Sequence, residues 1–161
     1  MSNGKEKQFL PALLERLLDD EPKKHIEPHD KFFYDSRTMR KLVQRNISEI
    51  LNNANIEDRL DPQRHKWVAT SVLNYGISPL VGLYAVPHNW ATIERIIREA
   101  IIRFEPRIMA ESLVVSQQLQ ARNGIIQFEI RGLIKWNPHP IDLCIEGAYD
   151  VETDNAELRA R

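Results

Sequence analysis

The chain has 161 residues, 42% hydrophobic and 28% charged, with a formal net charge of −1. That suits one globular domain burying roughly 70% of the surface its unfolded chain exposes, and it gives none of the clustered basic excess expected of a nucleic-acid binder. A single cysteine, Cys144, excludes an internal disulfide framework and fits a reducing, cytoplasmic compartment.

In chain order, the polar start at 1–8 does not read as a secretory signal, and no apolar run nears the roughly 20 residues of a membrane span. Phe9, Leu10, Leu13, Leu14, Leu17 and Leu18 recur at helical spacing, so 9–19 reads as a short amphipathic helix. Pro11 suits its first turn. The run Asp19-Asp20-Glu21 sits badly with the helix dipole at the C-terminal end, which implies fraying or partners for those carboxylates. Residues 20–35, with Pro22 and Pro28, read as a polar linker.

A second helix starts at Asp35 or Ser36 and carries Met39, Leu42, Val43, Ile47, Ile50 and Leu51 on one stripe. Asn52, Asn53 and Asn55 end it. A third is expected from Asp61 as N-cap and Pro62 at the first helical position, with Trp67, Val68, Val72 and Tyr75 on one side and Gly76 as a left-handed terminator. Residues 77–88 read as a loop punctuated by Pro79, Gly82 and Pro87. The fourth helix, capped by Asn89, spaces Trp90, Ile93, Ile96, Ile97, Ala100, Ile101 and Phe104 helically until Pro106 stops it.

The period then changes to two. Residues 108–119 are β-rich, and Asn123-Gly124 is a tight-hairpin signal. Ile126, Phe128, Ile130 and Ile134 face one way, against Gln127, Glu129, Arg131 and Lys135 on the other. After the connection at 136–140, Ile141, Leu143, Ile145, Tyr149 and Val151 alternate with Asp142, Glu146 and Asp150. The expected fold is α+β: N-terminal helices on one face of a three-stranded antiparallel β-meander, with open sheet edges. The expected organisation is an arm and linker at 1–35, a domain at 36–152 and a frayed polar tail at 153–161.

Chemistry is sparse. The six glycines form neither a GxGxxG nor a GxxxxGK[ST] loop, and there is no GxSxG elbow. His25 and His29 flank Glu27, but Pro28 breaks the helix that would align them as metal ligands. His65, His88 and His139 are isolated. Glu94 and Glu99 lie on a solvated helix face, and only folding could bring Glu105 near Glu111 as a hydrolytic pair. No catalytic, metal or cofactor residue is expected. The segment that stands out is Phe104-Glu105-Pro106-Arg107, where Glu105 occupies the unfavourable negative end of the helix dipole. Two readings are open there: an internal Glu105–Arg107 clasp, or a charged knuckle offered to another protein.

Three segments in series carry a family resemblance. The run from Phe9 to Pro22, FLPALLERLLDDEP, resembles the N-terminal signature of the TssE family of type VI secretion baseplate subunits, with Ala12 where that family often has Ser. Ser71-Val72-Leu73-Asn74-Tyr75-Gly76-Ile77 resembles its S-V-x-N-Y-G-[LI] segment. Phe104-Glu105-Pro106-Arg107 matches the F-E-P-R motif shared with phage wedge proteins of the GPW/gene-25-like family. The order holds over roughly 9–150, and the leucine-rich arm favours the secretion subunit over its phage relatives.

The resemblance implies a structural, non-enzymatic role: a wedge subunit beside TssF, TssG and TssK that helps start the TssB/TssC sheath. It implies that Glu105, Pro106 and Arg107 anchor to the wedge core, while a sheet edge meets the sheath. Leu13, Leu14, Leu17 and Leu18 would dock on a neighbouring subunit, contributing up to ~6–12 kcal/mol before ordering costs if fully buried. The alternative for the arm is folding back on its own domain. The alternatives for the whole chain are a phage-tail wedge protein and a peptidoglycan hydrolase, the latter disfavoured by the lack of an acid/base pair.

Overall fold

Asp35 opens the first described helix, its carboxylate accepting the Thr38 backbone N–H at 2.7 Å. These Thr38 contacts hold the Asp35 carboxyl below its ordinary range. The structure is a computed structural model and describes residues 34–61, 63–80, 90–122 and 124–161, together with Leu13, Leu17, 22–24 and Ile26. Helix α1 (Ser36–Leu51) buries Met39, Leu42, Val43, Ile47, Ile50 and Leu51, the stripe its periodicity predicts.

The expected third helix is instead two short pieces, α2 (Lys66–Ala69) and a 3₁₀ turn at Val72–Asn74. Thr70 and Ser71 break it. The Thr70 hydroxyl donates toward the Lys66 and Trp67 carbonyls. Ser71 donates to the Val68 carbonyl at 2.9 Å, and its oxygen accepts the Leu73 N–H. Hydroxyls that satisfy the backbone locally compete with the helical ladder. The predicted apolar side is therefore split: Trp67 and Val72 are exposed, whereas Val68 is half-buried and Tyr75 packs against the core. Asp61 does not cap this helix, which starts at Lys66 with His65 as N-cap; its carboxylate instead accepts the Gln63 and Arg64 N–H groups in the preceding turn, and Pro62 lies outside the described residues. Gly76 is needed as expected, at φ +108, and a Cβ there would stand 2.0 Å from the Asn53 carbonyl oxygen.

Helix α3 (Trp90–Phe104) buries Ile93, Ile97, Ala100 and Ile101, with Trp90, Ile96 and Phe104 packed partly against the core. Asn89 and most of the expected loop before it lie outside the described residues.

The sheet follows: β1 (Val114–Arg122), β2 (Ile125–Ile134), β3 (Ile141–Asp150) and β4 (Asn155–Ala160). The order is β1-β2-β3-β4, antiparallel throughout. Ile126, Phe128, Ile130 and Ile134 of β2, and Ile141, Leu143, Ile145 and Tyr149 of β3, are buried on one face with α1 and α3. Gly147 leaves room for the Phe128 ring on that face; a Cβ there would come within 2.3 Å of it.

The sheet thus has four strands, not three, and the extra one comes from the tail expected to fray. Its signal is weak because only Ala156 and Leu158 turn to the core, Leu158 partly. What recruits it is tertiary. Tyr149 hydroxyl bonds to the Asp154 carboxylate across the turn, and Asp154 adopts φ 53.

Arg161 N–H reaches the Cys144 carbonyl, so odd-numbered tail residues face β3 and Ala156 and Leu158 point their backbone groups outward. Both outward groups of Ala156 meet one side chain: Asn52 donates to its carbonyl at 3.0 Å and accepts its N–H at 2.7 Å. Gln44 donates to the Leu158 carbonyl at 3.1 Å. Replacing Asn52 by Ala is expected to cost about 1–3 kcal/mol, because both groups of Ala156 lose their partner. Urea denaturation should show a lower midpoint, and hydrogen exchange should rise first in β4.

Candidate docking site

The Glu105–Arg107 knuckle is built where α3 ends. Glu105 N–H still bonds the Ile101 carbonyl at 2.8 Å, so the residue closes the last helical turn with its side chain turned inward. It is 1% exposed. Its carboxylate takes a two-pronged bond from Arg107, Nε to Oε1 and Nη2 to Oε2, each 2.6 Å, and accepts the Arg107 backbone N–H at 3.2 Å. Asn46 of α1 adds a bond to Oε2 at 3.3 Å. A carboxylate at the negative end of a helix is tolerated because these donors surround it.

Pro106 is exposed at the apex, and its carbonyl accepts from Lys135 Nζ at 2.8 Å. Lys135 N–H bonds the Arg107 carbonyl at 2.7 Å, and Met109 N–H bonds Leu133, which fixes the knuckle to the end of β2. Of the two readings for this motif, the internal clasp is the one present in the chain. Glu105 is not a group held out to solvent, whereas the Arg107 side chain remains 27% exposed.

Beside the knuckle, Tyr75 and Phe104 pack ring to ring at 5.0 Å. Burial pushes the Tyr75 hydroxyl up, with the charges of Glu49 and Glu105 adding to the effect. Leu13 and Leu17 are helical and 70% and 71% exposed; Leu14 and Leu18 lie outside the described residues. Thus the fold brings Glu105, Pro106 and Arg107 into one rigid feature, and shows no packing of Leu13 or Leu17 against it.

The two sheet edges differ. That of β4 is capped by Asn52 and Gln44. That of β1 belongs to a nine-residue strand paired, among the described residues, with β2 alone, with register shifts between Gln117 and Arg122. Arg98 covers only the approach to it, through the Leu113 and Ala110 carbonyls.

On the open face of the sheet Glu129 is 5% exposed, despite its place in the wet register. Arg131 lies 2.8 Å away and Arg161 3.1 Å, and Cys144 Sγ donates at 3.3 Å. Arg131 foremost, with lesser help from Cys144 and Arg161, holds the Glu129 carboxyl below its ordinary value; burial first and Glu129 second push the Cys144 thiol up. Sequence pattern missed Asn46, Asn52, Asn74, Glu129 and Arg161. Only the Asn run after α1 hinted at side chains kept for bonding rather than solubility.

Of the carboxylates weighed for hydrolysis, Glu99 pairs with Arg95 at 3.3 Å and Glu105 is occupied by Arg107. His25, Glu27 and His29 lie outside the described residues, and no group of three candidate ligands that could hold a metal ion occurs among those described. No helix among them is long and apolar enough to cross a membrane.

Arg107→Ala should destabilise the chain more than Glu105→Gln, by about 3–5 kcal/mol, because it strands a buried carboxylate whereas Arg107 could turn to solvent. Paired denaturation curves give the order. For Glu129, a lowered carboxyl contributes stability that is complete above the unfolded value of 4.5 and is lost as pH falls through the lower folded value. The advantage of wild type over Glu129→Gln should therefore be constant above about pH 5.5 and fade under acid denaturation below 4.5.

The family model described as "Baseplate wedge protein gp25" matches residues 37–139, spanning α1, the knuckle and β1 to β2. No curated protein matches the chain. Among solved structures, "The baseplate complex from the type VI secretion system" holds a chain of 15% identity with a TM-score of 0.47, the match covering 78% of this chain and 95% of that one. With well over half its length matched, this chain belongs to the baseplate wedge protein gp25 family.

Proposed function

We propose that this chain is a non-enzymatic wedge subunit of a type VI secretion baseplate. It docks to the TssF/TssG core beside TssK and helps initiate the TssB/TssC sheath in the cytoplasm. The observation that carries the reading is the knuckle of a gp25-family domain, in which Glu105 is buried so that Arg107 is aimed rather than mobile. A guanidinium fixed by a two-pronged bond meets a partner with little further loss of side-chain entropy. Glu105 is then a positioning residue, and Arg107 with exposed Pro106 forms the contact.

The sheath would meet the β1 edge. Backbone groups along an unpaired edge supply main-chain hydrogen bonds to an added strand, while α1 has already taken those of Ala156 and the Leu158 carbonyl at the opposite edge. The leucine arm, through Leu13, Leu14, Leu17 and Leu18, docks on a neighbouring subunit; the exposure of Leu13 and Leu17 supports this over folding back. The arm also favours the secretion branch over the phage-tail one, and a neighbouring gene for a ClpV-type ATPase would separate the two.

The test is co-purification of TssF and TssG with wild type, Arg107→Ala and Arg107→Lys, each variant first shown folded by circular dichroism. Arg107→Lys keeps the charge beside Glu105 but loses the planar fork. Retention should fall at least tenfold with Arg107→Ala and partly with Arg107→Lys. Unchanged retention by both folded variants would confine the motif to an internal role. Cleavage of peptidoglycan by the wild type, abolished in Glu105→Gln, would overturn the non-enzymatic reading.

A further inference from the structure

Asparagine is a poor residue for the interior of a helix, because its amide competes for backbone groups. Asn46 nevertheless lies inside α1, one turn from each of buried Leu42 and Ile50, and is itself half-buried. Its amide donates to Glu105 Oε2 at 3.3 Å, joining groups 59 residues apart.

Glu105 accepts four hydrogen bonds: Oε1 from the Arg107 Nε and backbone N–H, Oε2 from Arg107 Nη2 and from Asn46. An ionised carboxylate offers about four lone-pair sites, so this set fills it. Three of the donors belong to Arg107, the residue being held, and the fourth comes from another element. The ties from β2 reach only the backbone of the knuckle: Lys135 bonds the Pro106 and Arg107 carbonyls, and Met109 N–H bonds the Leu133 carbonyl. A carboxylate bonded only by the guanidinium it orients could turn about its last side-chain torsion and carry both prongs with it. That torsion is broad rather than sharply staggered, so turning costs little unless a donor from elsewhere pins one oxygen.

We propose that Asn46 is a positioning residue of the docking knuckle, fixing the plane of the Glu105 carboxylate and, through the two-pronged bond, the direction in which Arg107 meets its partner. This rests on the reading of Arg107 as a contact and extends it to a side chain on α1, outside the F-E-P-R motif. Asn46 does not touch the partner; it spares Arg107 part of the ordering cost of binding. Alanine in its place removes the donor and, as the better helix former, leaves α1 intact. Aspartate keeps the shape but sets a second carboxylate against a buried one.

Two readouts test this, on full-length variants first shown folded by circular dichroism. The first needs no partner. In the isolated chain the Arg107 Nε–H resonance of the wild type should be ordered and slow to exchange with water. It should exchange several-fold faster in Asn46→Ala, and faster again in Asn46→Asp. The second is retention of TssF and TssG by Asn46→Ala, Glu105→Gln and the double variant, beside Arg107→Ala. Asn46→Ala should lower retention several-fold on its own and add nothing in the Glu105→Gln background, since a residue acting through Glu105 then has nothing to act on. A merely structural role would lower the denaturation midpoint and leave both readouts unchanged, which overturns the proposal. So do equal losses in both backgrounds, which would make Asn46 a direct contact. Loss of TssF and TssG by Arg107→Ala beside full retention by Asn46→Ala overturns the role of Asn46 alone. Full retention by Arg107→Ala overturns the docking reading as well.

Discussion

A carboxylate buried at the wrong end of a helix dipole is the constraint around which this domain is organised. Glu105 closes the last turn of α3, where the helix itself repels a negative charge. It persists there because Arg107, two residues on, returns a planar fork to both oxygens, while Asn46 of α1 bonds one of them. Three parts of the fold are therefore tied at one point: α1 through Asn46, α3 through Glu105, and the sheet through the bonds of Lys135 to the knuckle backbone. Since the desolvation of such a pair opposes its attraction, its retention is better understood as geometric specification than as net stability.

The same economy of polar side chains decides the edges of the sheet. A four-stranded open sheet would present two rows of unpaired backbone groups. Here α1 closes part of one row, with the amide of Asn52 imitating the next strand opposite Ala156 and Gln44 meeting Leu158. The asymmetry leaves the β1 edge, on the opposite side of the sheet, without such a clamp among the described residues.

Much of the fold was legible. The stripe of α1, the spacing of α3 and the alternation of β2 and β3 were read correctly, because each is set by a local period that burial on one face enforces. The break at Thr70–Ser71 was not: apolar spacing continued through it, while the competing hydroxyl bonds are short-range chemistry that periodicity does not weigh. Strand β4 was missed for a different reason. Six residues with two core-facing positions have little pattern of their own, and they become a strand only beside β3 and beneath Asn52. The knuckle was found by its oddity, a glutamate at a helix end before proline, yet two residues in sequence could not tell whether they faced each other or a partner.

Sequence by itself determined the class of this protein: an α+β domain with leucine arm and F-E-P-R knuckle, whose motifs in series pointed to the gp25 family. Tertiary structure alone decided that Glu105 lies inside and Arg107 is half-buried, that the tail is a fourth strand, and that part of one sheet edge is closed. The physical reason is range. Periodicity, caps and turns are fixed by neighbours a few residues away, whereas Asn46 with Glu105, Asn52 with Ala156 and Arg161 with Glu129 join groups 59, 104 and 32 residues apart. Those pairings exist only once the core has brought the elements together.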